Sequence, residues 1–143
     1  MNKLAVLLLG FLVFTSCNRF DVKVEEQAIR DVMNQQSQAW SSGDVEGYMK
    51  GYWKSDKLRF ASGDHITFGW QQTLHNYKKS YPSKTKMGEL VFSEIIIEVL
   101  SENEALVFGR WKLIRQGDNP QGLFTLHFHK FADSWKIVSD HTS

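Results

Sequence analysis

The chain has 143 residues, 42% hydrophobic and 13% aromatic, with 17 basic against 16 acidic side chains. That length suits one domain with a core it can fill, and the balanced charge lacks both the basic stripe of a nucleic-acid binder and the acidic run of a solvated tail. A single cysteine excludes a disulfide within the chain, so apolar burial has to hold the fold.

The elements begin with an apolar run from Leu4 to Phe14, preceded by Lys3 and followed by Thr15-Ser16-Cys17. One cation, a short apolar stretch and small residues before a cysteine form the pattern of a secretory signal peptide. The run falls short of the roughly 20 residues that cross a bilayer. It resembles a bacterial lipoprotein signal, with Phe14 where that family places an aliphatic residue. The resemblance implies that residues 1–16 are removed, that Cys17 is lipidated and that residues 17–23 are a tether. It also implies anchoring at the bacterial cell envelope, at the outer rather than the inner membrane because Asn18 is no obvious retention signal. One domain then spans 24–143.

Val24, Ala28, Val32, Gln36 and Trp40, joined by Ile29 and Met33, have the spacing of a helix with one apolar stripe. Ser41-Ser42-Gly43 ends it, and Asp44 caps a second helix carrying Tyr48, Met49, Tyr52 and Trp53. Leu58 to Ala61 and Ile66 to Gly69 read as a hairpin about Gly63-Asp64. Trp70 to about Tyr81 is a third helix, stopped by Pro82. Leu90–Leu100, Ala105–Arg115, Leu123–Phe131 and Trp135–His141 are strands rich in β-branched and aromatic residues. Helices first and a meandering antiparallel sheet after them make an α+β layout.

Ala39-Trp40-Ser41-Ser42-Gly43-Asp44, Tyr52-Trp53, Gly109-Arg110-Trp111, Phe124-Thr125-Leu126 and the stretch from Trp135 to Ser143 resemble the nuclear transport factor 2-like superfamily. The SnoaL-like proteins and the kinase association domain are the branch most similar. The resemblance implies a cone-shaped fold in which N-terminal helices close over a strongly bent antiparallel sheet and leave a pocket. It implies homodimers formed through the sheet, and activities that include steroid isomerases, polyketide cyclases and dehydratases beside members with no chemistry. Positions matching Leu126 and Thr142 point into the concavity in that family. Fold alone does not assign function.

Side chains alternate across a strand, so parity sorts them. The even set, Leu106, Phe108, Arg110, Lys112, Ile114, Phe124, Leu126, Phe128, Lys130, Val138 and Asp140, is expected to line the pocket. The odd set, including Trp111, Leu113, His127, His129, Ile137 and His141, is expected on the dimer face. Arg110 beside Asp140 is the pair of greatest interest, because an arginine among apolar groups needs a partner. Tyr48, Tyr52, Trp53 and Trp70 come from the helices that roof the pocket, with Phe60 and Tyr77. The expected ligand contacts are therefore Arg110, Tyr48, Tyr52, Trp53, Phe108, Leu126, Phe128 and Trp70.

His127-x-His129 has no cysteine or nearby acid to complete a zinc set, so no metal and no cofactor is expected. No nucleophile elbow, phosphate loop or zinc-protease helix occurs. Lys78, Lys79, Lys84 and Lys86 make a small basic patch of the kind usual on a solvated face. The residues point to a non-catalytic pocket protein that binds a small apolar or weakly anionic molecule, with no nucleic-acid partner. The alternative is an isomerase, cyclase or hydratase with Asp140 or His141 as base and Arg110 or a roof tyrosine as electrophile.

Overall fold

The computed structural model describes residues 20–132 and 134–143; the proposed signal peptide, Cys17 and the first residues of the tether lie outside them. Asp21 opens the first helix, its carboxylate accepting from the Lys23 amide at 2.9 Å. Helix α1 (Val22–Ser42) therefore starts inside the stretch read as tether. Glu25, Ile29, Met33, Gln36 and Trp40 recur every three or four residues and form its buried stripe. Gly43, at φ 90, turns the chain left-handed and ends the helix, its amide bonding back to Ala39 and Trp40 carbonyls.

Asp44 caps α2 (Val45–Met49), which is only five residues long. The hairpin β1 (Arg59–Ser62) and β2 (His65–Phe68) turns at Gly63-Asp64 as its sequence predicts. Helix α3 (Trp70–Ser80) stops before Pro82, and a short α4 (Lys84–Met87), not foreseen, is capped by Ser83. Four long strands follow: β3 (Glu89–Val99), β4 (Glu104–Ile114), β5 (Gln121–Phe131) and β6 (Ser134–Thr142).

The sheet order is β2-β1-β6-β5-β4-β3. It is mixed rather than purely antiparallel, because β1 runs parallel to β6. The chain before β1 also joins that edge: Tyr52 forms a parallel bridge with Ile137, and the Trp53 amide donates to the Ile137 carbonyl at 2.9 Å. Helix α1 is fastened across the sheet at both ends. Near its C-terminus, Trp40 Nε1 donates to the Met87 carbonyl, Ser37 Oγ donates to the Leu90 carbonyl and Ser41 Oγ accepts from the Leu90 amide. Near its start, buried Glu25 accepts from Lys130 Nζ at 2.8 and 2.9 Å and from Trp135 Nε1 at 2.7 Å.

Two irregularities set which side chains face the helices. The β4–β5 register pairs Gly109 with Phe124, an odd residue with an even one. The inner face of β4 is thus Val107, Gly109, Trp111 and Leu113, and the even assignment for that strand is overturned. On β5 the even residues Phe124, Leu126 and Phe128 are the buried ones. On β6, Phe128 pairs with Ile137 but His127 pairs with Ser139, which leaves Val138 as an extra residue in a β-bulge. Trp135 and Ile137 are buried before it and Asp140 after it, so β6 changes parity partway. Strand β3 carries a second bulge between Ser93 and Ile96, where Glu94 adopts φ 55.

Candidate functional site

Between the helices and the inner face of the sheet lies a cavity of about 370 Å³. The helices and their flanks supply Trp40, Tyr48, Tyr52, Tyr77 and Tyr81, and the sheet supplies Phe92, Trp111, Phe124, Leu126 and Asp140. Its rim is uncharged polar groups, Ser62, Thr67, Asn76 and Thr142, together with His65. His65 is exposed and paired with its neighbour Asp64. Neither Lys nor Arg is among the residues lining it.

The polar centre of this wall is Asp140, 5% exposed. Tyr52 Oη donates to Asp140 Oδ2 at 2.7 Å, and Tyr48 Oη lies 3.1 Å from Tyr52 Oη. Because the Tyr52 proton goes to the carboxylate, the Tyr48 hydroxyl is the donor in that second bond. The bridge between Tyr52 and Ile137 on β6 is what brings the phenol to an acid three residues further along the same strand. The other carboxylate oxygen, Asp140 Oδ1, is buried and has no hydrogen-bond partner among the described residues.

Burial pushes the Asp140 carboxyl up to about 7, against a smaller downward pull from the Tyr52 hydroxyl. Burial likewise raises the phenols, with the Asp140 charge adding to it: Tyr48 is pushed up to about 12, and Tyr52 and Tyr77 are also raised well above their ordinary value. The phenols are therefore neutral at any physiological pH, and Asp140 is the lining carboxyl that changes charge near neutrality. A carboxyl poised near 7, with one unpaired oxygen and on a residue that lines a largely apolar cavity, can hold a hydrogen-bond donor or exchange a proton with it.

The residues expected at the site divide. Tyr48, Tyr52, Leu126 and Asp140 line the cavity together. Arg110 does not meet Asp140: it is on the opposite face of β4, with Nε 3.0 Å from Glu94 Oε1 across β3. Phe108 shares that outer face and is 41% exposed, both displaced by the odd–even register of β4 with β5. Phe128 is fully buried in the core, outside the cavity lining. Trp53 stacks on Phe131 at 5.3 Å, and Trp70 donates from Nε1 to the Met49 carbonyl, so neither reaches the cavity. His141 is exposed beside buried Asp140, on the strand's other side.

Trp111, Leu113 and Ile137, expected on the outer face, line the cavity instead, and Tyr81, Phe92, Thr73 and Asn76 were not foreseen there. The aromatic clustering of Trp40, Tyr48, Tyr77 and Tyr81 was the available signal: their rings pack edge-on at 4.8–5.6 Å around Trp40. His127 and His129 both contact Glu104, through Nε2 and Nδ1, on the outer face of the sheet. Among the described residues no group of three His, Cys, Asp or Glu side chains is arranged to hold a metal ion.

No family model and no curated protein matches the chain. Solved structures do. An NTF-2-like protein of unknown function from Shewanella oneidensis is 42% identical, with a TM-score of 0.80 over 83% of this chain and 98% of that one. A candidate scytalone dehydratase from Novosphingobium aromaticivorans is 18% identical, with a TM-score of 0.65 over 84% and 83%. A nuclear transport factor 2-like superfamily protein from Salmonella enterica is 20% identical, with a TM-score of 0.68 over 86% and 92%. The last two share the fold alone. The identity and coverage of the first, on top of helices packed on a six-stranded mixed sheet with a cavity between, place this chain in the nuclear transport factor 2-like family.

Proposed function

We propose that the protein is a small-molecule-binding pocket protein, anchored to a bacterial envelope membrane by lipidated Cys17. One observation carries the binding role: Asp140 lines the cavity, and its buried Oδ1 lacks a partner among the described residues, although an unpaired buried acceptor costs about 1–3 kcal/mol. A ligand donor is the group that would relieve it. The volume is in the range of small-molecule sites, and the walls are mostly aromatic. With Arg110 facing outward, nothing cationic on the wall favours an anionic ligand, so the weakly anionic option loses its support.

Native mass spectrometry of the protein purified from its own host tests the role. A co-purifying small molecule, lost on Asp140→Asn, is the expected result; an empty cavity in every preparation refutes it. Anchoring is tested by labelling with a palmitate precursor, where no label on the wild type refutes it. The outer sheet face, with Ile96 and Phe108 exposed, is the surface for the homodimer that the family implies. Sedimentation showing a monomer at micromolar concentration refutes that.

A second reading is favoured by the titration of Asp140 near 7: proton-transfer catalysis of the isomerase, cyclase or hydratase type. Asp140 is the base in that reading and Tyr52 orients it. His141 and Arg110 have no place in it, because both face away from the cavity. Turnover of ketone, epoxide or enoyl probes with a pH–rate inflection near 7, lost on Asp140→Asn, supports catalysis. Absence of turnover across those classes leaves the binding role.

A further inference from the structure

We propose that the cavity takes a primary or secondary amine in its ammonium form, one N–H donating to Asp140 Oδ1 while the apolar body lies among the aromatic walls. This rests on the pocket reading above and adds to it the charge of the ligand.

Four observations converge. The free oxygen of Asp140 is an acceptor and calls for a donor. The nearest hydroxyls are already committed as donors, Tyr48 to Tyr52 and Tyr52 to Asp140, so what this part of the wall still offers is lone pairs. An ammonium brings several N–H donors and no acceptor, which matches; a carboxylate ligand brings only acceptors and a repelling charge. No Lys or Arg among the lining residues competes for the carboxylate. Arg115, the cation near Tyr81, is held by Asp118 through Nε at 2.8 Å.

The rings supply the rest. Trp40, Tyr48, Tyr77, Tyr81, Phe92 and Trp111 all border the cavity. Aromatic faces carry partial negative charge and attract a cation, most strongly where water is excluded. Burying an ammonium is costly unless it is paired and hydrogen-bonded, and the residues of this wall bring a carboxylate, phenols and aromatic rings together. A neutral alcohol would satisfy Oδ1 but gain nothing from the charge or the rings.

The test uses three probes of one shape: 2-phenylethylamine, 2-phenylethanol and 3-phenylpropanoate, titrated calorimetrically into the purified protein at pH 8. The expected order is the amine at least about tenfold tighter than the alcohol, and the acid weakest, from charge-assisted pairing. Asp140→Asn brings the amine-to-alcohol ratio to about one. The wild type supplies a check that needs no variant. With Asp140 titrating at about 7, amine affinity falls by about 100-fold from pH 8 to pH 5, while alcohol affinity holds. Tyr48, Tyr52, Tyr77 and Tyr81 stay neutral over that range, their phenols being raised. His65 on the rim is the other group to control, and His65→Gln is expected to keep the fall.

Equal binding of amine and alcohol, unchanged by Asp140→Asn, overturns the ammonium assignment and leaves the pocket reading standing. Binding of none of the three also overturns it. A screen of neutral apolar compounds that finds nothing either would take the pocket reading down with it.

Discussion

Replacing Asp140 with asparagine keeps the size of the side chain and removes its charge, so it isolates what a buried carboxylate costs this fold. The group ionises at 3.8 when exposed and at about 7 in the folded protein. Its folded-state value is raised, so the folded protein holds the proton more tightly than the unfolded chain does. The contribution to stability is therefore intact below about pH 4, declines as pH rises from about 4 to 7, and is fully lost above 7. At about 1.36 kcal/mol for each pH unit of that interval, the loss reaches about 4 kcal/mol. Asp140→Asn is thus expected to match the wild type near pH 4 and to exceed it by up to about 4 kcal/mol at pH 8. With a urea dependence of about 2 kcal/mol per molar, the midpoint difference at pH 8 is about 2 M. The assay is urea unfolding followed by tryptophan fluorescence for both proteins at each pH from 4 to 8. Taking the difference matters, because Glu25 and Glu104 pull the other way. For each, burial raises the carboxyl, but hydrogen bonds outweigh it and hold it below the ordinary value. Those two slopes are common to both proteins and cancel. A difference that stays constant across the range would refute the reasoning, since it would mean that Asp140 is not shielded from water.

Further outcomes follow from the same geometry. Tyr52→Phe removes the hydrogen bond that the Asp140 carboxyl accepts from the Tyr52 hydroxyl, so the carboxyl is expected to titrate higher still; carbon-13 NMR of the aspartate carboxyls reads the direction. Arg110→Ala is expected to leave affinity for any cavity ligand within about twofold, because Arg110 engages Glu94 on the outer face and exposed pairs contribute about 0–1 kcal/mol. Gly109→Val is expected to destabilise by about 1–3 kcal/mol in urea unfolding, because a Cβ there would sit 2.6 Å from both Phe124 Cζ and Ile95 Cδ1. Glu25→Ala, measured the same way, is expected to cost about 2 kcal/mol by stripping Lys130 and Trp135 of their shared acceptor.

Most of the architecture is written in local chemistry. The stripe ending at Trp40, the Asp44 cap, the Gly63-Asp64 turn and the four long strands each follow from spacing or turn residues within a few positions. Tyr48 and Tyr52 were legible as roof residues because they lie four apart behind a cap. Asp140 was legible only by luck of parity, since the odd members Trp135 and Ile137 of its own strand are buried too. Arg110 was misplaced because nothing local in β4 says which way its pleat faces. That choice is made by the β4–β5 register, where Gly109 pairs with Phe124. A one-residue difference in where the connecting loop rejoins the sheet inverts the whole strand. Trp111 and Leu113 then came inward and Phe108 went out.

The additional residue at Val138 has a bearing on how relatives of this chain are to be compared. A strand without it would carry Trp135 and Ile137 into the core and turn position 140 toward solvent, leaving the cavity without an acid. Chemistry at the cavity wall is therefore encoded by a residue count as much as by a residue type. In a homologue, an aspartate aligned to Asp140 speaks for the same cavity only if the number of residues separating it from the Ile137 position is conserved; one deletion there yields the same letter facing water.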